Sequence, residues 1–257
     1  MAERLIAPVL KTGERESVPG VRIPLYPPFI ASLCSWRAVM NIDQHVLYAI
    51  DDYFAGKRDS ALMHASFAID ATARKLFGSK RAGRREYKDC LRNYYWIIEP
   101  MMGGGLNLEE TRWQNLRIDD GNGKVIVDPD FADIIYHVFR CTHAHAGEVA
   151  AGFELLPVQD GHSRWIVADG VLKMPERVIW SLLAVSLFCR ANSDVSSATP
   201  HYLTWGSDSL GIGIHKFLIA EHWGKEDGFR EFLTSYPQIR VRVDGLDQMT
   251  AASVKER

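Results

Sequence analysis

The segment Tyr136-His137-Val138-Phe139-Arg140-Cys141-Thr142-His143-Ala144-His145-Ala146-Gly147-Glu148 holds the residues of this chain best suited to chemistry. A guanidinium keeps its charge near neutral pH and grips phosphate oxygens through two parallel hydrogen bonds, while an imidazole titrates near neutrality and can move a hydroxyl proton. Arg140 with His145, and His143 beside them, would suffice for phosphodiester cleavage without a metal. The same residues also fit an ordinary helix with one exposed arginine and a histidine satisfied in the core. On one ideal helix Arg140 and His145 lie about 140° apart. The length of the arginine, distortion before Gly147, or a second copy of the helix must close that gap. A twofold axis through this face would gather two Arg and two His in one cleft, which predicts a homodimer.

Other chemistries fit less well. His143 and His145 point about 200° apart on a helix and have no Cys or carboxylate at ligand spacing, so no metal is expected. Gly103-Gly104-Gly105 is followed by no Lys-Ser/Thr and preceded by no strand, which makes it a hinge and not a phosphate loop. Cys141 among apolar helix positions reads as packing. The four cysteines form no CxxC pair and Met1 to Gly20 does not resemble a secretory signal, so a cytoplasmic location is expected. No cofactor is called for.

Eight basic residues (Arg74, Lys75, Lys80, Arg81, Arg84, Arg85, Lys88, Arg92) stand against two acidic ones (Glu86, Asp89) between positions 74 and 92. Lys80, Arg81, Arg84 and Arg85 are candidates for gripping RNA phosphates, and a solvated face is the plain alternative. The whole chain carries 30 basic and 32 acidic residues for a net charge of -2, so any such patch is local.

The elements that must position these groups are mostly helical. The chain has 257 residues, 47% hydrophobic and 24% charged, enough for one large core. Residues 1–40, with five prolines and glycines that disfavour helix, read as an extended N-terminal arm. Residues 41–192 read as a helical domain. Its helices include one with Val46, Ala49, Ile50 and Tyr53 on one face, and one with a stripe of Leu62, Ala65, Ile69, Ala73 and Leu76 ending at Gly78. A helix opened by Asp128-Pro129 carries Phe131, Ile134, Ile135, Val138, Phe139 and Thr142 inward. Phe153 to Val158 and Arg164 to Val167 read as a small hairpin about Asp160-Gly161. Val178 to Cys189 falls short of the roughly 20 apolar residues needed to cross a bilayer, so it is a core helix and no membrane contact is expected. Residues 193–257 form a short C-terminal extension, with helical patches around Ile214 to His222 and Asp227 to Leu233 and a strand near Ile239 to Val243.

The motif resembles that of the all-helical HEPN superfamily, in which Arg and His are separated by four to six residues. Arg140-Cys141-Thr142-His143-Ala144-His145 matches the four-residue spacing, with Phe139 before the Arg and Ala146-Gly147 after the His. Ala65 to Leu76 resembles an early helix of that bundle, with an acidic residue at Asp70. The resemblance covers about residues 42 to 191. It implies a mainly α, HEPN-like helical bundle with a small β-hairpin insertion and a short α+β extension. It also implies a metal-independent endoribonuclease of a toxin or defence type, in which His145 is general acid or base and Arg140 steadies the phosphate. RNA, a second copy and an antitoxin or other protein would be the partners. Cys141 departs from the small polar or acidic residue that often follows the Arg. The family also contains non-catalytic RNA-binding and protein-interaction modules, the alternative reading.

Overall fold

Alanine lets the first two helices lie close together. Ala61, Ala65 and Ala68 are fully buried on α2 (Arg58–Phe77) where it packs along α1 (Ile42–Phe54), whose inner face is Ile42, Val46, Ala49 and Ile50. Leu62 and Ile69 of the same face are fully buried and contribute about 1.5–3 kcal/mol each. α2 stops at Gly78, whose φ of 62° is left-handed and lets the Ser79 amide donate to the Arg74 carbonyl at 3.0 Å. This computed structural model describes residues 41–80, 82–103, 105–114, 116–119, 124–137, 152–157, 165–168, 171–207 and 212–236.

Next come α3 (Arg84–Asn93) and α4 (Tyr95–Met102), separated by a break at Tyr94. β1 (Arg117–Asp119) and β2 (Val125–Val127) pair antiparallel, from Arg117↔Val127 to Asp119↔Val125. α5 (Phe131–Ile134) begins two residues later than Asp128 suggests. Asp130 caps it by accepting from the Asp133 amide at 2.8 Å, while Asp128 takes a positive φ of 52°. The segment that the sequence predicts to continue this helix, with Arg140, His143 and His145, lies outside the described residues, as do Arg81 and the strand expected near Ile239.

The axis of the core is α6 (Arg177–Phe188), buried from Val178 to Phe188 except at Trp180 and packed on α2 and α4. Its buried hydroxyls bond back into the helix, Ser181 to the Val178 carbonyl at 2.7 Å and Ser186 to that of Leu182 at 3.3 Å. At the end of a 3-10 turn (Arg190–Asn192), the fully buried Asn192 donates to Thr72 Oγ1 at 3.0 Å and the Ser186 carbonyl at 2.7 Å, fastening α6 to α2. β6 (Tyr202–Ser207) and β7 (Ile212–Leu218) pair antiparallel, followed by α7 (Ile219–His222) and α8 (Glu226–Thr234). Phe188 stacks on Phe229 with centroids 4.0 Å apart and planes 11° apart. Gly224, at φ +70°, passes so close to Ser193 that a Cβ would sit 2.5 Å from its Cα.

Three expectations need correction. The fold is mixed α+β and not a mainly α helical bundle: seven strands in three small sheets stand beside the helices among the described residues. The expected hairpin is absent. β3 (Phe153–Leu156) and β4 (Ile166–Ala168) are separated by β5 (Val171–Pro175), which pairs parallel with β3, from Phe153↔Leu172 to Leu156↔Pro175, and antiparallel with β4. Leu172 and Met174 point into the core, an alternation that the adjoining helical run and Pro175 disguise. Finally, Ile214 lies in β7, and helix starts only at Ile219. No helix among the described residues is long and apolar enough to cross a membrane.

Candidate functional site

Of the residues singled out in the sequence, Asp70, Lys80, Arg84 and Arg85 are described. Asp70 lies on α2 with its Oδ2 3.4 Å from Arg74 Nε, one helical turn on. Lys80 follows the glycine stop of that helix and is exposed. Arg84 opens α3 and places its Cζ 5.9 Å from the centre of the Tyr136 ring, four residues before Arg140. Arg85 is exposed and sits 3.4 Å from Asp89. The structure thus gathers Asp70, by way of Arg74, and Lys80 at one place, and sets Arg84 and Arg85 on α3 outside it.

That place is an open groove of about 590 Å³ between the first turn of α1 and the end of α2. Arg74, Lys75, Lys80 and Ser79 line one side, Asn41 to Asp43 a second, and Asp194 to Ser196 a third. The first-turn amides of a helix carry partial positive charge, so α1 adds to the three cations. Asp43 and Asp194 oppose them. Lys75 hydrogen-bonds Asp194 and thereby holds that carboxyl below the usual carboxylate range. Ser79 Oγ is buried and has no hydrogen-bond partner among the described residues.

Two other cations of the basic run are spent on carboxylates distant in sequence. Lys88 Nζ lies 2.8 Å from Asp133 and Arg92 Nε 2.8 Å from Asp130, tying α3 to the first turn of α5. Burial pushes the Asp133 carboxyl up, but the hydrogen bond and charge of Lys88 outweigh it and leave it below its ordinary value. These pairs position the elements and offer less to a ligand.

Beside the groove runs a polar seam that sequence reasoning missed. His45 on α1 and His64 on α2 approach within 3.2 Å between their Nδ1 atoms. His64 Nε2 lies 3.8 Å from Asp52, which accepts from Ser60 Oγ. Burial, then the charges of His64 and Arg74, lower the His45 pKa to about 4 against a weaker upward pull from Asp70. Burial likewise lowers His64, opposed by Asp52. His45 is only 8% exposed, so the pair lies within the α1–α2 packing and not on the groove surface. A signal existed for His45, which shares the α1 stripe with Ala49 one turn on; none pairs it with His64. No group of three His, Cys, Asp or Glu among the described residues is arranged to hold a metal ion. Cys90 and Cys189 are buried free thiols, and burial pushes both pKa values up.

A family model described as Rv1289 matches residues 41–248. The uncharacterized protein Rv1289 of Mycobacterium tuberculosis (strain ATCC 25618 / H37Rv) is 30% identical over 198 residues, which cover 76% of this chain and 88% of the relative. The uncharacterized protein Mb1320 of Mycobacterium bovis matches with the same identity and coverage. No solved structure matches the chain.

Proposed function

The chain belongs to the Rv1289 family, and from that premise we propose that it binds RNA through the phosphate backbone. The observation that carries this reading is the meeting of Arg74, Lys75, Lys80 and the α1 amino end on one groove. A phosphate entering there competes with Asp70 for Arg74 and with Asp194 for Lys75, so binding is weak per contact and gains from several contacts at once. Backbone contacts of this kind release counterions and read no sequence.

A second reading adds catalysis: a metal-independent endoribonuclease of the HEPN type, of a toxin or defence system, active as a homodimer and restrained by an antitoxin or another protein. What favours it is Arg84 above Tyr136, which brings the basic end of α3 to the chain leading into Arg140, His143 and His145. In that reading His145 moves the proton, Arg140 steadies the phosphate charge, and the 2′-hydroxyl of the RNA attacks.

The test is RNA binding over a range of salt concentrations with Arg74, Lys75 and Lys80 replaced together by Ala. Affinity falls by similar factors for unrelated sequences and the salt dependence flattens. Affinity equal to that of the unaltered protein, or no binding by the latter at low salt, overturns the proposal.

A further inference from the structure

One stripe of α2 links the histidine seam to the groove. His64, Phe67, Asp70 and Arg74 follow one another at steps of three, three and four residues, which keeps them on one side of the helix. His45 of α1 meets the first two. Its Nδ1 is 3.2 Å from that of His64, and its ring centre is 5.4 Å from that of Phe67. The groove takes the last, since Arg74 lines it. Between them stands Asp70, whose Oδ2 lies 3.4 Å from Arg74 Nε. The connection also runs along α1, where His45 follows the groove-lining Asp43 by two residues.

The charges that face the pair come from these two helices. Asp52 of α1 lies 3.8 Å from His64 Nε2, and the Tyr48 ring is centred 5.4 Å from that of His64. α6, which also packs on α1, brings Glu176 and Arg177 to its far end, beside Tyr53 and Phe54. α3 and the 3-10 turn pack on α2 but turn their charges elsewhere, Lys88 and Arg92 to α5 and Arg190 to α8, while Asp194 holds Lys75. Asp70 draws a proton toward His45 and Arg74 repels it. A phosphate that engages Arg74 changes both effects in the same direction: it cancels the charge that repels the proton and frees the carboxylate that attracts it.

We propose that phosphate binding at the groove is linked to protonation of the His45–His64 pair, so that the protein grips RNA more tightly as the medium turns acid. The inference rests on the RNA-binding reading and adds its regulation. The sign follows from linkage, because a complex that holds more protons than its separate parts forms more readily as pH falls. The hydrogen bond between the rings leaves Nε2 of the donor ring to take the added proton. When His64 donates, that atom faces Asp52, which stabilises the new charge. The pair acts on the ligand through Asp70 and Arg74 and not by contact.

The experiment measures binding of a fluorescent ten-nucleotide oligouridylate to the full chain at pH 7, 6, 5 and 4.5 and constant ionic strength. Uracil gains no proton and the phosphodiesters stay charged over that range. Affinity rises about threefold from pH 7 to 4.5, the gain expected when bound phosphate makes the pair about tenfold easier to protonate. The double variant His45→Gln, His64→Gln binds like the unaltered protein at pH 7 and lacks this rise, while carboxylates that titrate in the range do so in both proteins. A thermal melt at each pH checks that the variant folds. Independently of any variant, the ring proton signals of His45 or His64 in the unaltered protein titrate at higher pH with oligouridylate than without it. Affinity that is flat in pH, an equal rise in the folded double variant, or ring signals that titrate alike with and without RNA overturns the linkage and leaves the groove reading standing. Absence of RNA binding by the unaltered protein at pH 7 and low salt removes both readings.

Discussion

The Nδ1 atoms of His45 and His64 lie 3.2 Å apart across the α1–α2 seam, so one ring carries the shared proton and the pair resists a second charge. Burial above all brings His45 from 6.5 to about 4. The unfolded chain therefore binds more protons than the folded one between those values, and stability rises with pH across that window. Between pH 7 and 4 this ring costs on the order of 2 kcal/mol, a figure discounted for solvent reaching the seam past half-exposed Tyr48. Urea unfolding at pH 7, 5.5 and 4 checks it: His45→Leu loses that part of the slope, and an unaltered slope places the acid sensitivity elsewhere.

Glu226 is 8% exposed and accepts from the Tyr94 hydroxyl at 2.9 Å and the Arg190 amide at 3.1 Å, joining α8 to the ends of α3 and α6. Glu226→Ala takes away the acceptor that both donors share and costs about 1–3 kcal/mol. Glu226→Gln keeps one acceptor oxygen and costs less. The urea midpoints of the two variants rank them, and equal midpoints count against this account.

Asp194 opposes the groove cations by binding Lys75. Asp194→Asn releases that lysine for phosphate, so RNA affinity rises severalfold at low salt and the logarithmic salt slope steepens by about one. Filter binding at four salt concentrations measures both. Weaker binding by this variant would mean that the groove does not receive phosphate.

If the Arg140 to His145 segment cleaves RNA, His145→Ala and Arg140→Ala each lower the rate by roughly 100-fold or more, and His143→Ala lowers it less. The cut ends carry a 2′,3′-cyclic phosphate, and chelator leaves the rate unchanged. RNA that is bound and never cut favours the non-catalytic reading. Cleavage abolished by chelator and insensitive to His145→Ala assigns the chemistry to other residues.

Helix burial was legible wherever one periodicity decides it. Of the stripe read from the sequence, Leu62, Ala65, Ile69 and Ala73 are fully buried, and Leu76, near the helix end, is partly buried. The Asp70–Arg74 pair, one turn apart, is a local relationship of the same kind. The strand order was not legible. Asp160-Gly161 signals a reversal, but nothing local says that Val171–Pro175 inserts between the strands on either side of it. The basic run was legible only as a count: positions 74 to 92 taken alone omit Asp130, Asp133 and Asp194, which folding brings against Arg92, Lys88 and Lys75. Contacts between distant positions decided how much charge stays available for a ligand.

The order β3-β5-β4 also bears on the sequence of events at the ribosome. α1 and α2 can close on each other as soon as Phe77 has emerged, since both partners are then present. β3 has no such early partner and must wait for Val171–Pro175 before its ladder forms. Translation must therefore pass Pro175 before β3 can take its place in the sheet, so this part of the fold closes later than the α1–α2 pair.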